Sequence, residues 1–200
     1  MSAADREGTA KAGDPPRPAA RARILAAARE LFYRRGINAT GIAELCVAAH
    51  VSKRTLYQHF AGKDELVAAY LETFAGDPGF TPEAILARAD LAPRARLLEL
   101  FAALAVGGHP LRGDPFVNAA VELADPASPG HATAAAHKRE FGERLANLAR
   151  EAGARDPDRV GRRLALLYDG AAAQIVVHDR SDAAAEAQAL AAAILRDAID

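Results

Sequence analysis

Two short helical segments separated by a tight turn restrict the fold of this chain more than any other feature. Residues 42–49 (IAELCVAA) and 53–60 (KRTLYQHF) each carry apolar side chains at helical spacing, with polar side chains between them. Ser52 stands directly before the second segment as a helix N-cap, and Thr40 is expected to cap the first. Helices this short are not stable alone, so the pattern predicts a helix-turn-helix packed on a larger helical body.

The remainder of the chain also has helical periodicity. Half of the 200 residues are hydrophobic, which is enough for a sizeable core, and only 6% are aromatic. No segment keeps up the alternation of Val, Ile and Thr that is typical of strands. We therefore predict an all-α fold, with further helices at about 21–35, 63–74, 82–89, 93–106, 116–123, 130–152, 157–178 and 182–199.

Changes in composition divide the chain into three parts. Residues 1–20 are rich in Ala, Gly and Pro and lack apolar periodicity, which predicts a disordered arm. Residues 21–65 contain the helix-turn-helix and one preceding helix, which Gly36 is placed to end. Residues 66–200 contain the longer helices. We therefore predict a small N-terminal helical domain followed by a larger helical domain.

Positive charge is concentrated in the N-terminal part of the chain. Residues 17–63 contain nine Lys and Arg and two acids, a net charge of +7, although the whole chain carries −1. Residues 64–200 contain 14 Lys and Arg and 21 Asp and Glu, a net charge of −7. A basic unit attached to an acidic remainder is typical of a module that binds a polyanion. Chance clustering on a solvated face is the alternative.

Several classes of protein are disfavoured by what the sequence lacks. Cys46, the single cysteine, cannot form an intramolecular disulfide and is expected to be a small core residue. No apolar run approaches the roughly 20 residues of a membrane span, and no secretory segment is present, which predicts a cytoplasmic protein without membrane contact. Phosphate-binding Gly-rich loops, His-Glu-x-x-His and Gly-x-Ser-x-Gly are all missing. We therefore expect no enzyme activity, no cofactor and no metal site.

The helix-turn-helix region resembles the tetracycline-repressor-like (TetR/AcrR) family of bacterial transcription regulators. The resemblance extends over residues 21–70, and the later helices resemble the family in number and order. It implies an N-terminal helix-turn-helix DNA-binding domain and a C-terminal domain for ligand binding and dimerisation. The residues that fall at the family's spacing are Gly36, Ile37, Thr40, the helix 42–49, Val51-Ser52-Lys53, Thr55-Leu56-Tyr57, His59-Phe60 and Lys63.

The resemblance places the second helix of the motif in the major groove of a double-stranded DNA operator. Lys53 and Arg54 lie at its start and are expected to read base edges, because both side chains suit guanine O6 and N7. Contacts to phosphates or the groove edge are expected from Thr40, Thr55, Tyr57, His59 and Lys63.

Two of these residues have an alternative role, and two other positions depart from the family's pattern. Tyr57 has a second possible role, packing its ring on the first helix, and His59 has one as a solvated side chain. His50 stands in the turn where the family often has glycine, so the turn is expected either to hold His50 at a slightly strained positive φ or to close in a different way. Ala43 stands where relatives often carry a polar or basic residue, so one backbone contact is expected to be missing.

The resemblance also implies an effector pocket and a dimer interface. A small hydrophobic or amphipathic effector suits a pocket with mostly apolar walls and a few polar groups. The helices at 157–178 and 182–199 are expected to form a two-fold four-helix interface. Ordinary core and surface positions are the alternative for each of the candidate pocket residues, which are Phe101, Leu104, Phe116, Asn118, Glu122, His137 and Gln174.

The function implied by the resemblance is ligand-responsive transcriptional regulation. The expected protein is a homodimeric repressor that binds a palindromic operator and is released by a small organic effector. A transcriptional activator, or a constitutive DNA-binding protein without an effector, are the alternatives. Asp114 precedes Pro115 at a helix start and is expected to act as a helix cap in preference to a ligand contact.

Overall fold

The computed structural model describes residues 19–75, 77, 79–104, 112–178 and 182–199. Within these ranges every regular element is a helix, which confirms the all-α prediction. The predicted arm, up to residue 18, and the predicted helix end at 106 lie outside the described residues. The helices are α1 (Ala20–Arg35), α2 (Ile42–Ala49), α3 (Lys53–His59), α4 (Lys63–Glu72), α5 (Thr81–Leu86), α6 (Pro93–Ala102), α7 (Pro115–Glu122), α8 (Pro129–Glu151), α9 (Pro157–His178) and α10 (Asp182–Ile199).

Local backbone chemistry shapes the helix-turn-helix. Gly36 ends α1 with a φ of 101°, and its N–H donates to the carbonyl of Phe32. His50 lies between α2 and α3 in the left-handed region, with φ 52° and ψ 51°, which is the first of the two outcomes expected for this turn. Ser52 Oγ accepts a 3.0 Å hydrogen bond from the N–H of Thr55 and so caps α3, which confirms that prediction.

Thr40 does not cap α2, contrary to the prediction. Gly41 occupies the N-cap position, and no side chain caps this helix. Thr40 is fully buried instead, and its hydroxyl donates to the carbonyl of Gly36 at 2.8 Å. The predicted phosphate contact of Thr40 is corrected with the cap, because a side chain enclosed in the α1–α2 turn has no path to DNA.

Two hydrophobic cores hold the helices together. The first joins α1–α4 to Phe116 and Ala119 of α7 and to Ala134 of α8. The second joins α5, α6, α9 and α10 to the C-terminal half of α8. Cys46 lies in the first core, as predicted. Since α4 and α7 share one core with the helix-turn-helix, the packing does not divide at residue 65, and the domain boundary there remains a prediction.

The longest helices, α8 and α9, approach each other closely. A Cβ atom built on Gly161 of α9 would lie 2.7 Å from the backbone nitrogen of Ala146 in α8. Only glycine therefore permits this crossing, and the crossing fixes the scaffold on which the second core is built. None of the helices in the described ranges has the combined length and hydrophobicity needed to cross a bilayer.

Polar contacts attach the end of α1 to the body of the protein. The hydroxyl of Tyr33 donates to the carbonyl of Gly113 at 2.9 Å. The backbone N–H of Asn38 donates to the carboxylate of Glu122 at 2.8 Å, and its side-chain amide donates to the Glu122 carbonyl at 2.9 Å. The segment before α7 and the end of α7 are therefore both joined to the helix-turn-helix region.

Candidate nucleic-acid interface and cavity

Helix α3 turns its polar side outward because its apolar residues are anchored in the first core. Leu56 and Phe60 are 0% and 2% exposed. On the opposite side Lys53 and Arg54 are exposed, and Tyr57 retains 52% of its accessible surface. This arrangement presents a short helix with a basic start, which is the shape and charge that suit a DNA major groove.

Lys53 and Arg54 differ from three basic residues of α1. Neither of them makes an ion pair within the described part of the chain. By contrast, Arg29 pairs with Asp77 at 2.6 Å, and Arg34 and Arg35 pair with Glu30 and Glu44. The positive charge at the start of α3 is therefore available to a polyanion.

Lys63 is the first residue of α4 and is half-buried. The start of this helix is organised by Glu65, whose carboxylate accepts the N–H of Ala61 at 2.5 Å. Lys63 makes no ion pair in the ranges described, so its ammonium is available beside α3. The predicted phosphate contact of Lys63 stays a prediction that this position permits.

The remaining predicted DNA contacts lie on or beside the exposed side of α3. His59 is exposed, and Thr55 is partly covered, with its hydroxyl 2.9 Å from that of Ser52. Arg21, which the sequence did not single out, lies over the Phe60 ring at 5.4 Å. Its signal in the sequence was its place at the start of the first basic helix, one turn before the apolar stripe begins.

An inner cavity of about 70 Å³ lies between α5, α9 and the segment before α7. A second cavity of about 220 Å³ lies beside it, shares the lining residues Phe80 and Gly113, and is also lined by Arg29, Tyr33 and Phe74. The inner cavity is lined by Phe80, Pro82, Leu104, Gly113, Asp114, Tyr168, Ala172, Ile175 and Val176.

Only Leu104 among the predicted pocket residues lines this inner cavity. Phe101 is fully buried in the second core, with its ring 5.9 Å from that of Tyr168. Phe116 belongs to the first core and stacks on His137 at 3.5 Å. Phe101 and Phe116 therefore pack behind the residues that line the cavity.

Three predicted polar pocket residues lie elsewhere, which corrects their assignment. Asn118 donates its side-chain amide to the carbonyl of Arg112 at 2.5 Å and so closes the start of α7. Glu122 points to Asn38 in the α1–α2 turn. Gln174 lines a groove on the outside of α9 and α10. The prediction placed Asn118 and Glu122 inward from their four-residue spacing, but α7 turns that face towards the helix-turn-helix.

A partly buried ion triad, whose side chains keep between 15% and 34% of their accessible surface, borders the inner cavity. The ammonium of Lys138 lies 3.0 Å from the Asp114 carboxylate and 2.6 Å from that of Asp169. Burial alone would lower the pKa of Lys138, but the two carboxylates more than offset this and raise it. Burial raises the pKa of Asp169, and the ammonium opposes that shift. Asp114 also caps α7 through the N–H groups of Phe116 and Val117, as predicted.

Sequence reasoning missed this triad and Tyr168. Lys138 lies three residues before Phe141 and seven before Leu145, both of which are buried on α8. A lysine on the apolar stripe of a helix is a signal for a buried ion pair, because an isolated buried ammonium is too unfavourable. The signal does not identify the partners, which are 24 and 31 residues away in the chain.

A second buried polar group surrounds His137. Its Nε2 lies 3.9 Å from the Glu83 carboxylate, which Arg144 also contacts. Burial lowers the pKa of His137, and the negative charges of Glu83 and Asp114 act against this. His137 thus supports the Phe116 ring and does not line the inner cavity. Within the described ranges no three metal-ligating side chains converge.

The outside of α9 and α10 forms an apolar groove. Leu166 is 77% exposed and Leu190 is 52% exposed, and Gly170 lies between the two helices. Val160 and Leu164 of α9 are buried in the chain's own second core. The face of α9 that stays exposed is therefore the one that carries Leu166.

The comparisons with known proteins agree with the helix-turn-helix assignment. The family model for "Bacterial regulatory proteins, tetR family" matches residues 24–70. The HTH-type transcriptional activator FasR of Mycolicibacterium smegmatis is 47% identical over 57 residues, which are 28% of this chain and 26% of FasR. The regulator TtgR of Pseudomonas putida is 42% identical over 53 residues, 26% of this chain and 25% of TtgR. The matches thus span about a quarter of these curated relatives.

A solved structure extends the likeness to the whole chain. SCO4454, a TetR-family transcriptional regulator from Streptomyces coelicolor, superposes with a TM-score of 0.80 at 33% identity. The superposition covers 90% of this chain and 96% of that one. The fold and the exposed helix α3 define a helix-turn-helix DNA-binding regulator. More narrowly, the chain belongs to the TetR family of transcriptional regulators, which confirms the resemblance seen in the sequence.

Proposed function

We propose that this regulator is a dimeric repressor that binds a palindromic operator and leaves it when a small organic effector occupies the cavity. The observation that carries the proposal is the exposed start of α3, where Lys53 and Arg54 lack partners among the described residues while Arg29, Arg34 and Arg35 have them. In this proposal Lys53 and Arg54 read base edges. Thr55, Tyr57, His59 and Lys63 contact phosphates or the groove edge.

The outer groove of α9 and α10 supports dimerisation. Leu166 and Leu190 present apolar surface that a second copy of the same groove would cover. A two-fold dimer through these helices carries two α3 helices, which would fit half-sites about 34–36 Å apart along DNA. The palindrome in the proposed operator reflects this two-fold symmetry.

The cavity is joined to the DNA-binding helices by two routes that support effector release. Phe80 in the cavity wall lies 5.4 Å from the Phe74 ring, just after α4. Gly113 in the same wall accepts the hydroxyl hydrogen bond of Tyr33 in α1. An effector that displaces these wall residues would tilt α4 and α1, and so move the two α3 helices out of register with successive grooves. The shift requires the effector to bind one conformer more tightly than the other.

Selection from randomised duplexes tests the DNA-binding part of the proposal. Wild type is expected to enrich a palindrome, and the double variant Lys53→Ala/Arg54→Ala is expected to lose that enrichment. Arg34→Ala is the matched control, since Arg34 is as exposed as a recognition residue but pairs with Glu30. Enrichment of the same palindrome by the double variant would show that another surface reads the DNA.

Sedimentation of two apolar-to-acidic variants tests the dimer. Leu166 in the groove and Val121 on α7 are both 77% exposed in the single chain. Leu166→Asp is expected to yield monomers, whereas Val121→Asp is expected to remain dimeric. Equal behaviour of the two variants would place the interface elsewhere.

Activation is the second candidate, because the FasR relative is described as a transcriptional activator. A reporter gene placed downstream of the selected operator distinguishes repression from activation. Repression predicts that expression rises when the regulator is removed, and activation predicts that it falls. A constitutive DNA-binding protein would show operator affinity that no cavity ligand changes.

A further inference from the structure

The wall of the inner cavity has a single kind of charge. Among the lining residues that the structure describes, Asp114 is the only one that carries a formal charge. Its neighbours are aromatic or aliphatic, including Phe80, Leu104 and Ile175. A ligand anion in this space would lie against a carboxylate with little water to screen the repulsion.

The ions behind this wall leave an excess of negative charge. Among the described residues Lys138 is the only cation that pairs with Asp114, and it is shared with Asp169, so the triad contains two carboxylates and one ammonium. The next charged pair, Glu83 with Arg144, is neutral as a pair. Burial raises the pKa of Tyr168, and Asp114 and Asp169 raise it further. The Tyr168 hydroxyl therefore lies in a negative potential, which favours a positively charged ligand group.

Tyr168 provides an independent observation. It is 8% exposed, and its ring packs against Phe101 and Phe141. Tyr168 lines the cavity, and its hydroxyl makes no hydrogen bond to a described residue. No fully enclosed side-chain oxygen in the described ranges lacks a partner, so this hydroxyl is open to the cavity. A ligand N–H group beside Asp114 would find an acceptor in it.

We propose that the inner cavity binds an organic cation, with Asp114 as its counter-charge and the Tyr168 hydroxyl as a second contact. The ligand class is an amine or ammonium group on a small apolar body, and the proposal rests on the proposed function because it names the effector's chemistry. The volume of about 70 Å³ suits a head group of a few atoms. The aromatic faces of Phe80 and Tyr168 add attraction for a cation.

The neighbouring cavity receives the apolar body of this ligand. Phe74, Phe80 and Pro115 line it. Its own cation, Arg29, is paired with Asp77 and lies over the Phe74 ring at 4.2 Å. The Arg29–Asp77 pair is neutral as a pair, so this cavity offers no counter-charge for the ligand's charged end.

Three probes with the same six-carbon chain and different head groups test the inference. Hexylammonium, 1-hexanol and hexanoate are titrated at pH 7 into the full chain by calorimetry. Hexylammonium is expected to bind most tightly and hexanoate most weakly. Tighter binding of 1-hexanol or hexanoate than of hexylammonium, or no binding of hexylammonium, would overturn the inference.

Two isosteric variants locate the counter-charge. Asp114→Asn removes the charge and keeps the α7 cap, since Asn caps as well as Asp. It is expected to weaken hexylammonium binding by about tenfold and to leave 1-hexanol binding unchanged. Asp169→Asn removes an equal charge that does not line the cavity, and it is expected to have the smaller effect. Equal losses in both variants would overturn the role of Asp114.

A third variant covers the case in which Asp114→Asn fails to fold, which circular dichroism would reveal. Tyr168→Phe keeps the ring packing and is expected to weaken hexylammonium by about threefold. An unchanged hexylammonium affinity would overturn the contact. Failure of the proposed function would appear separately, as the absence of a selected operator in the duplex experiment, which uses none of these probes.

Discussion

The basic residues at the start of α3 and the basic residues inside α8 have opposite surroundings. Lys53 and Arg54 are exposed and lack ion-pair partners among the described residues, whereas Lys138 and Arg144 are each held by carboxylates that are buried or partly buried. A cation that lies unpaired in water is available to a phosphate or a base, and a cation enclosed with acids maintains the packing around it. The same residue types are thus open to an outside partner in one region and bound in ion pairs in the other.

The largest expected effect is the loss of stability when the enclosed cation of α8 is removed. Lys138→Met leaves the partly buried Asp114 and Asp169 without their cation, and it is expected to lower the free energy of unfolding by about 2–3 kcal/mol, less than for a fully enclosed pair because water still reaches both carboxylates. Urea denaturation followed by circular dichroism measures this. Lys53→Ala, from the exposed side, is expected to change the free energy of unfolding by less than about 0.5 kcal/mol. Equal destabilisation by both substitutions would mean that the two cations do not differ in their contribution to stability.

The next largest effect is the loss of operator affinity when an exposed cation of α3 is removed. Arg54→Ala is expected to weaken binding to the selected operator by about 1–3 kcal/mol while leaving binding to unrelated duplexes nearly unchanged. Fluorescence anisotropy at one fixed salt concentration measures both affinities. Arg34→Ala serves as the control because Arg34 already pairs with Glu30. A uniform loss on all duplexes would reassign Arg54 to the phosphates.

A smaller effect separates phosphate contacts from base contacts. Lys63→Ala is expected to weaken all duplexes alike and to reduce the slope of log affinity against log salt by about 1, as expected when one phosphate contact is lost. Titrations at several salt concentrations provide the slope. If Lys63→Ala leaves the slope unchanged, the start of α4 does not touch the DNA backbone.

The smallest effect concerns the pH dependence of the buried region. Burial lowers the pKa of His137 from its ordinary 6.5, so below that pH the unfolded chain takes up a proton that the folded chain does not. Wild type is therefore expected to lose unfolding free energy as pH falls below 6.5.

Denaturation of wild type and His137→Gln at a series of pH values isolates this contribution. The groups that face His137 and titrate or carry charge are Glu83, Asp114, Lys138 and Glu140, and they are common to both proteins. The stability difference between the two should narrow towards low pH. A difference that is constant with pH would mean that His137 has the same pKa in the folded and unfolded chains.

Features that depend on neighbours in the chain were predictable from the sequence. Ser52 caps α3, Asp114 caps α7, and Gly36 and His50 adopt positive φ where α1 and α2 end. Each of these is a contact or a backbone angle within a few residues, so residue type and spacing suffice to predict it. The same holds for the helix-turn-helix match over residues 24–70.

Features that depend on helix rotation were less predictable. Glu122 and Asn118 were expected in the pocket, yet α7 presents them to Asn38 and Arg112. Thr40 was expected at the surface and is fully buried. Helical spacing tells which residues share a face, but the direction of that face is set by the other helices that pack against it.

The sequence by itself therefore determined the helices, their ends and the basic character of α3, because these follow from local periodicity, capping and charge. Only the tertiary structure decided which charges remain available and which are buried. Asp114, Lys138 and Asp169 lie far apart in the chain and meet on three different elements. Arg29 belongs to the basic N-terminal part of the sequence, but in the folded chain it is paired with Asp77. Ion pairing between distant residues depends on distances that only the packed helices create.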